Sequence, residues 1–131
     1  MDSALAPTPT GSRRTVFVVD DDAALVESLV DVLMDEGYRV DGFTDPREAL
    51  ACLRAGARPA ALLLDMRMPG MSGAEFVVAL AEVGVVVPVL LLSGLSDPGI
   101  QPGAVAVVLP KPCDLDRLLT ELERHAGSPI V

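Results

Sequence analysis

Residues 15–22 read TVFVVDDD, and residues 60–65 read AALLLD. In both stretches a short apolar run leads directly into carboxylates. Continuous runs of this kind are typical of strands that are buried on both faces of a parallel sheet. Ligands of open α/β sheets bind at the carboxyl ends of the strands, beside the point where the strand order reverses. The two stretches therefore predict a buried parallel sheet with an acidic site at one edge.

Apolar runs and amphipathic segments alternate along the rest of the chain. Runs rich in Val and Leu predict strands, whereas apolar residues spaced by three and four predict helices. The predicted strands are Thr15–Val19, Tyr38–Phe43, Ala60–Leu64, Val85–Leu92 and Val105–Leu109. Four helices are predicted. The second covers residues 46–54 and the third covers residues 73–83. The inward-facing residues of the first helix are Leu25, Val26, Leu29, Val30 and Leu33, and those of the last helix are Leu115, Leu118, Leu119 and Leu122.

This alternation predicts an α/β fold in which helices cover both faces of a five-stranded parallel sheet. Right-handed crossovers between the strands favour a doubly wound arrangement. The second strand alternates apolar residues with Arg39 and Asp41, which is typical of an exposed edge. The predicted strand order is therefore 2-1-3-4-5.

Composition excludes several classes of function. The chain has 131 residues and a formal net charge of -9, so a cationic face for nucleic acid or anionic lipid is not expected. No apolar run approaches the roughly 20 residues of a membrane span. The N-terminus lacks a secretory signal pattern, which makes the cytoplasm the expected location. Cys52 and Cys113 lack metal-ligand spacing and are expected to be small buried hydrophobes.

The domain boundaries follow from composition. Residues 1–14 are rich in Pro, Thr and Ser and predict a flexible tail, residues 15–126 form the domain, and residues 127–131 form a second short tail. Two alternatives stay open, namely a stand-alone domain and a piece of a longer chain. The expected oligomeric state is a monomer or a weak dimer.

Polar residues follow four of the predicted strands. They are Asp20 with Asp21, Asp65, Ser93, and Lys111, the only lysine among ten basic residues. Carboxylates that converge raise one another's pKa unless a cation neutralises them, and Mg²⁺ prefers such oxygen ligands. An ammonium and a hydroxyl beside the ion suit the oxygens of a transferring phosphoryl group, with Asp65 as the nucleophile.

Each of these residues also has an ordinary structural interpretation. The three consecutive aspartates fit a helix N-cap followed by the favourable end of the helix dipole. Asp65 and Ser93 fit turn residues, and Lys111 fits a solvated surface charge. Taken singly the signals are weak, but together they lie at one edge of one sheet.

Four segments, VFVVDDD, LLLDMRMPGMSG, PVLLLSG and KP, occur in an order that resembles the receiver domain of two-component response regulators. The resemblance extends from Thr15 to about Arg124. It implies that Asp65 is the phosphoacceptor and that Mg²⁺ is the cofactor. The metal ligands that it implies are Asp20, Asp21, Asp65 and the backbone carbonyl of Arg67. It further implies that Ser93 and Lys111 hold the phosphoryl oxygens and that the Lys111–Pro112 bond is cis.

The sequence departs from the receiver pattern at two places. Val108 occupies the position, three residues before the lysine, where receivers carry the aromatic residue of their switch. Five of the eleven residues 94–104 are Gly or Pro, which predicts a loop or a single turn in place of the fourth helix. An order–disorder change of this loop, triggered through Ser93, is the expected switch.

The resemblance implies that a sensor histidine kinase or a phosphotransfer protein phosphorylates the chain, which then contacts an unidentified downstream protein. The chain is not expected to be an enzyme beyond its own phosphotransfer and dephosphorylation. One alternative is a phosphorylation-independent interaction module with the same fold. Another is an aspartyl-phosphate phosphatase, which is disfavoured because Arg67 stands where such enzymes need a second acid.

Overall fold

A five-stranded parallel sheet forms the centre of the molecule. The structure, a computed structural model, describes residues 14–94 and 105–129. The strands are β1 (Thr15–Val19), β2 (Arg39–Phe43), β3 (Ala61–Asp65), β4 (Val89–Ser93) and β5 (Val107–Pro110). They lie in the order β2-β1-β3-β4-β5, and every pair is parallel. The predicted fold class and strand order are confirmed.

Four helices lie on the two faces of the sheet within the described residues. They are α1 (Ala23–Glu36), α2 (Pro46–Arg54), α3 (Gly73–Glu82) and α4 (Leu115–Ala126). Each begins after a residue whose side-chain oxygen accepts a hydrogen bond from a backbone N–H of the first turn, and these N-caps are Asp22, Asp45, Ser72 and Asp114. Such caps satisfy donors that the helix itself leaves unpaired, so they fix where each helix starts.

Two apolar layers pack against the sheet, one on each face. The layer formed with α2 and α3 contains Phe17, Leu62, Leu64 and Phe76, and the layer formed with α1 and α4 contains Val16, Leu63, Leu33 and Leu122. All five residues of β3 are buried. Alternate side chains of one strand enter opposite layers, which explains why this strand reads as a continuous apolar run.

The fourth strand is shorter than predicted. Residues 85–88 were expected to belong to it, but β4 begins at Val89. Pro88 has no N–H to donate to a sheet, and Val86 is 92% exposed. β5 also begins two residues later than predicted, at Val107. A prediction based on apolar character alone therefore starts both strands too early in the chain.

Residue 14 and residues 127–129, which the sequence assigned to the two tails, form hydrogen bonds that join the two ends of the described chain. The backbone N–H of Arg14 donates to the carbonyl of Pro129 at 2.8 Å, and Arg14 Nε donates to the carbonyl of Ser128 at 2.9 Å. The Tyr38 hydroxyl donates to the carbonyl of Gly127 at 3.0 Å. These three hydrogen bonds join residue 14 and residues 127–129 to the domain, and the predicted domain boundaries stay a prediction.

Two further predictions concern the burial of the cysteines and the positions of the loop and the N-terminal tail. Cys52 is exposed and Cys113 is half-buried, so the prediction of two buried cysteines is wrong. Cys52 lies on α2 between the inward residues Leu50 and Leu53, and therefore on the outer face of that helix. The loop predicted at 94–104 lies outside the described residues except for its first residue, as does the tail predicted for residues 1–14 except for its last.

None of the helices in the described ranges is both long and apolar enough to cross a membrane.

Candidate functional site

Three carboxylates meet at the carboxyl edge of the sheet. Asp20 and Asp21 follow β1, and Asp65 is the last residue of the adjacent β3. Asp20 and Asp65 are each 3% exposed, whereas Asp21 is exposed. One carboxylate oxygen from each residue lies within 4.8 Å of the others. The convergence that the sequence predicted is therefore present in the structure.

The Asp20 carboxylate is buried and is held at one of its two oxygens. Its Oδ1 accepts a hydrogen bond from the backbone N–H of Asp22 at 2.9 Å. Its Oδ2 is buried and has no hydrogen-bond partner among the residues that the structure describes. Burial raises the pKa of Asp20 from 3.8 to about 6, and the nearby carboxylates of Asp65 and Asp21 act in the same direction. The Asp22 amide and Lys111 oppose this rise in pKa but do not cancel it.

Lys111 is the cation of the site. It directly follows β5, and its Nζ forms an ion pair with Oδ1 of Asp65. The backbone N–H of Lys111 donates to the carbonyl of Ser93 at 3.0 Å, which ties the end of β5 to the end of β4. The Lys111–Pro112 peptide bond is cis. The lone lysine of the sequence therefore contacts the carboxylate that was predicted to be the nucleophile.

The remaining predicted site residues lie around this centre. Ser93 ends β4 and is half-buried, and its hydroxyl donates to the carbonyl of Gly94 at a long 3.4 Å. Arg67 lies two residues beyond Asp65 with an exposed side chain, and the metal contact of its carbonyl stays a prediction. Val108 is 45% exposed on the edge strand β5. Ser93 is thus at the correct edge, while Val108 places an aliphatic group where the receiver pattern has a ring.

Gly73 is a structural residue of the site whose role the sequence pattern did not reveal. A Cβ at this position would lie 2.8 Å from the backbone oxygen of Asp65 and 2.8 Å from Leu91 Cδ1. The Gly73 N–H also donates to the carbonyl of Met66 at 2.8 Å. The first residue of α3 therefore packs directly against the backbone of the central carboxylate. The signal in the sequence was the glycine of the MSG segment eight residues after Asp65.

The donor set fits a hard divalent cation. Buried carboxylates held this close repel one another unless a cation lies between them, and Mg²⁺ binds oxygen ligands and typically keeps several waters. The unpartnered Oδ2 of Asp20 and the exposed position of Asp21 leave oxygen atoms available for such an ion. Asp20, Asp21 and Asp65 are the residues that would hold it.

Comparison with known protein families gives a match over most of the chain. The model of the response regulator receiver domain matches residues 16–123. The chain belongs to this family. Receiver domains are the signal-accepting modules of two-component response regulators, and the site described above lies inside the matched region.

Curated relatives with this receiver domain include two mycobacterial regulators. The DNA-binding response regulator MtrA of Mycobacterium tuberculosis (strain H37Rv) is 35% identical over 126 residues, which cover 89% of this chain and 54% of the relative. The response regulator MprA of Mycolicibacterium vanbaalenii is 38% identical over 112 residues, which cover 82% of this chain and 48% of the relative. The chain therefore spans about half the length of these relatives.

Solved structures share the architecture of this receiver domain. The response regulator StyR superposes with a TM-score of 0.79 and 32% identity, covering 90% of this chain and 61% of the other. A CheY-like receiver domain protein from Methanospirillum hungatei superposes with a TM-score of 0.78 over 86% of this chain and 94% of its own. Its identity is 24%, so it supports the fold alone.

Proposed function

We propose that this receiver domain accepts a phosphoryl group on Asp65 from a phosphohistidine of a sensor kinase or phosphotransfer protein. The observation that carries the proposal is the environment of the Asp65 carboxylate. It is buried at the end of a central strand, is paired with the only lysine of the chain, and has two further carboxylates within 4.8 Å. A structural turn residue needs none of these three features.

In the proposed reaction an oxygen of the Asp65 carboxylate attacks the phosphorus atom of the donor. The new O–P bond forms as the P–N bond to the donor imidazole breaks, and the imidazole nitrogen leaves with the electron pair. The product is a mixed anhydride between the aspartate and phosphate. Lys111 contacts the acceptor carboxylate, so its ammonium is positioned to hold a phosphoryl oxygen after transfer.

Asp20, Asp21 and Asp65 hold the metal in this proposal, and the backbone carbonyl of Arg67 is the further proposed ligand. Mg²⁺ bound there supplies positive charge next to the carboxylates and to the phosphoryl oxygens. Asp20 and Asp65 are each 3% exposed, so bulk water has little access to the acceptor carboxylate. Ser93, at the end of the neighbouring strand, is the proposed hydroxyl partner of the phosphoryl group.

The test uses the intact chain with acetyl phosphate and Mg²⁺, followed by mass spectrometry. We expect a mass gain of one phosphoryl group that Asp65→Asn abolishes and that the control variant Asp35→Asn, on the exposed face of α1, retains. We expect Lys111→Ala to lower the yield, because the ammonium no longer neutralises the developing charge.

Other outcomes would overturn the proposal. An adduct that survives in Asp65→Asn would assign the phosphoryl group to another residue. The absence of an adduct with a kinase as well as with acetyl phosphate would favour the phosphorylation-independent interaction module, for which the missing ring at Val108 is the supporting observation. Rapid consumption of the donor without a lasting adduct would favour the phosphatase.

A further inference from the structure

Asp22 connects helix α1 to the carboxylate of Asp20 through three hydrogen bonds. Its backbone N–H donates to Asp20 Oδ1 at 2.9 Å. Its side-chain Oδ1 accepts from the backbone N–H of Leu25 at 3.2 Å, and its carbonyl accepts from the N–H of Val26 at 3.0 Å. One residue thus caps the helix with its side chain and holds the first acidic residue of the site with its amide.

From these contacts we infer that Asp22 is a positioning residue for the metal site, and that it acts through its N-cap hydrogen bond rather than through its charge. The inference rests on the proposed function, because it assumes that the three neighbouring carboxylates bind Mg²⁺. The side chain of Asp22 is exposed, and Asp22 is not one of the three carboxylates that converge.

The two oxygens of Asp20 differ because of this contact. Oδ1 is held by the Asp22 amide, and Oδ2 is buried without a hydrogen-bond partner among the described residues. A carboxylate that is fixed at one oxygen presents the other in a single direction. Fixing the orientation of a ligand in advance raises metal affinity, and loss of such an orienting partner typically lowers affinity about 10- to 100-fold.

The direction of the Asp22 amide depends in turn on the first turn of α1. Val26 and Leu29 bury that helix against the sheet, and the N-cap bond to Leu25 closes its first turn. Without the cap the first turn has unpaired N–H groups and frays. Fraying at Asp22 releases the amide that holds Asp20, so the carboxylate regains rotational freedom and the metal site loses its preformed geometry.

Three variants distinguish the effect of the N-cap hydrogen bond from the effect of the Asp22 charge. Asp22→Ala removes both, whereas Asp22→Asn removes the charge and retains a good N-cap. Asp45→Ala removes the equivalent cap of α2, a helix that supplies none of the proposed ligands. It therefore reports what the loss of a helix cap does to the fold alone.

The readout is the dissociation constant of Mg²⁺ for each full-length variant, measured by isothermal titration calorimetry at pH 7.5. We expect an affinity about tenfold weaker for Asp22→Ala than for Asp22→Asn. The asparagine variant is expected within about threefold of wild type, since an exposed charge is screened by water and salt. Asp45→Ala is expected to bind Mg²⁺ as wild type does although its urea midpoint falls.

The results distinguish a failure of the proposed metal site from a failure of the positioning role of Asp22. If wild type binds no Mg²⁺, the proposed metal site itself is wrong. If wild type binds Mg²⁺ and the two Asp22 variants bind it equally well, the site stands and the positioning role is refuted. Equal weakening in Asp22→Ala and Asp45→Ala would also refute it, because the effect would then come from general destabilisation. Hydrogen exchange of the backbone amide at position 22 gives an independent check of the fraying step. We expect this exchange to be slow in Asp22→Asn and fast in Asp22→Ala.

Discussion

Substitution of Asp20 by asparagine is expected to stabilise the metal-free protein at neutral pH. Burial raises the pKa of Asp20 from 3.8 to about 6, so the folded state disfavours the ionised carboxylate. Each pKa unit corresponds to about 1.4 kcal/mol, which makes the cost of ionised Asp20 about 3 kcal/mol above pH 7. Asparagine removes the charge and keeps the oxygen that accepts the Asp22 N–H bond. Since its amide must also be desolvated, we expect a gain of about 1 to 3 kcal/mol.

The gain depends on pH in a direction that follows from the raised pKa. The folded state binds more protons at Asp20 than the unfolded state between pH 3.8 and about 6, so stability falls as the pH rises through this window. The destabilisation is absent below the window and complete above it. At pH 5 about half of it remains, so the advantage of Asp20→Asn over wild type is expected to fall by about 1.4 kcal/mol, because the desolvation cost of the amide does not depend on pH.

The assay is urea unfolding in EDTA at pH 7.5 and pH 5.0, both above the isoelectric point near 4.4. Asp35→Asn, which removes an exposed carboxylate from α1, is the matched control and is expected to change stability by less than about 0.5 kcal/mol. Addition of Mg²⁺ at ten times its dissociation constant is expected to stabilise wild type by about 1.4 kcal/mol and to leave Asp20→Asn almost unchanged. A gain for Asp20→Asn that is equal at both pH values, or a loss of stability at pH 7.5, would refute the reasoning.

Three further substitutions test the packing of the domain. Gly73→Ala is expected to lower stability by about 1 to 3 kcal/mol in urea unfolding and to weaken Mg²⁺ binding, because the new methyl group presses on the backbone of Asp65. Tyr38→Phe removes the hydrogen bond to Gly127 and is expected to cost about 1 kcal/mol without changing Mg²⁺ affinity. Leu122→Ala truncates a fully buried side chain and is expected to lower the free energy of unfolding by about 2 to 5 kcal/mol, with unchanged stability contradicting the assigned core.

The topology could be predicted from the sequence because each strand carries its own signal. The uninterrupted apolar residues of β3 indicate burial on both faces, and the polar residues of β2 indicate an edge. Because crossovers between parallel strands are right-handed, few strand orders are then possible. The residues that directly follow β1 and β5 must lie at the same sheet edge, so the neighbourhood of Asp20 and Lys111 follows from the same signals.

Other features depend on contacts that no local pattern records. The valines at 85–87 have strong strand propensity, yet Pro88 follows them and β4 begins only at Val89. The contact of Gly73 with Asp65 and Leu91 joins three elements, so it exists only once the sheet and α3 have packed together. The exposed side chain of Cys52 depends on which face of α2 turns inward, and its small apolar character does not decide this.

Metal-free stability and the proposed affinity for Mg²⁺ are expected to oppose each other at one residue of this receiver domain. Asp20 is buried, is ionised at neutral pH according to its pKa of about 6, and has one oxygen without a hydrogen-bond partner in the described structure. These features destabilise the metal-free fold, and the same features give a cation a favourable place to bind. Selection for stability in the absence of metal is therefore expected to enrich neutral residues at position 20 but not at the exposed Asp35, and every variant so obtained should bind Mg²⁺ more weakly than wild type. A stabilising substitution at position 20 with unchanged Mg²⁺ affinity would show that this carboxylate is not a ligand of the ion.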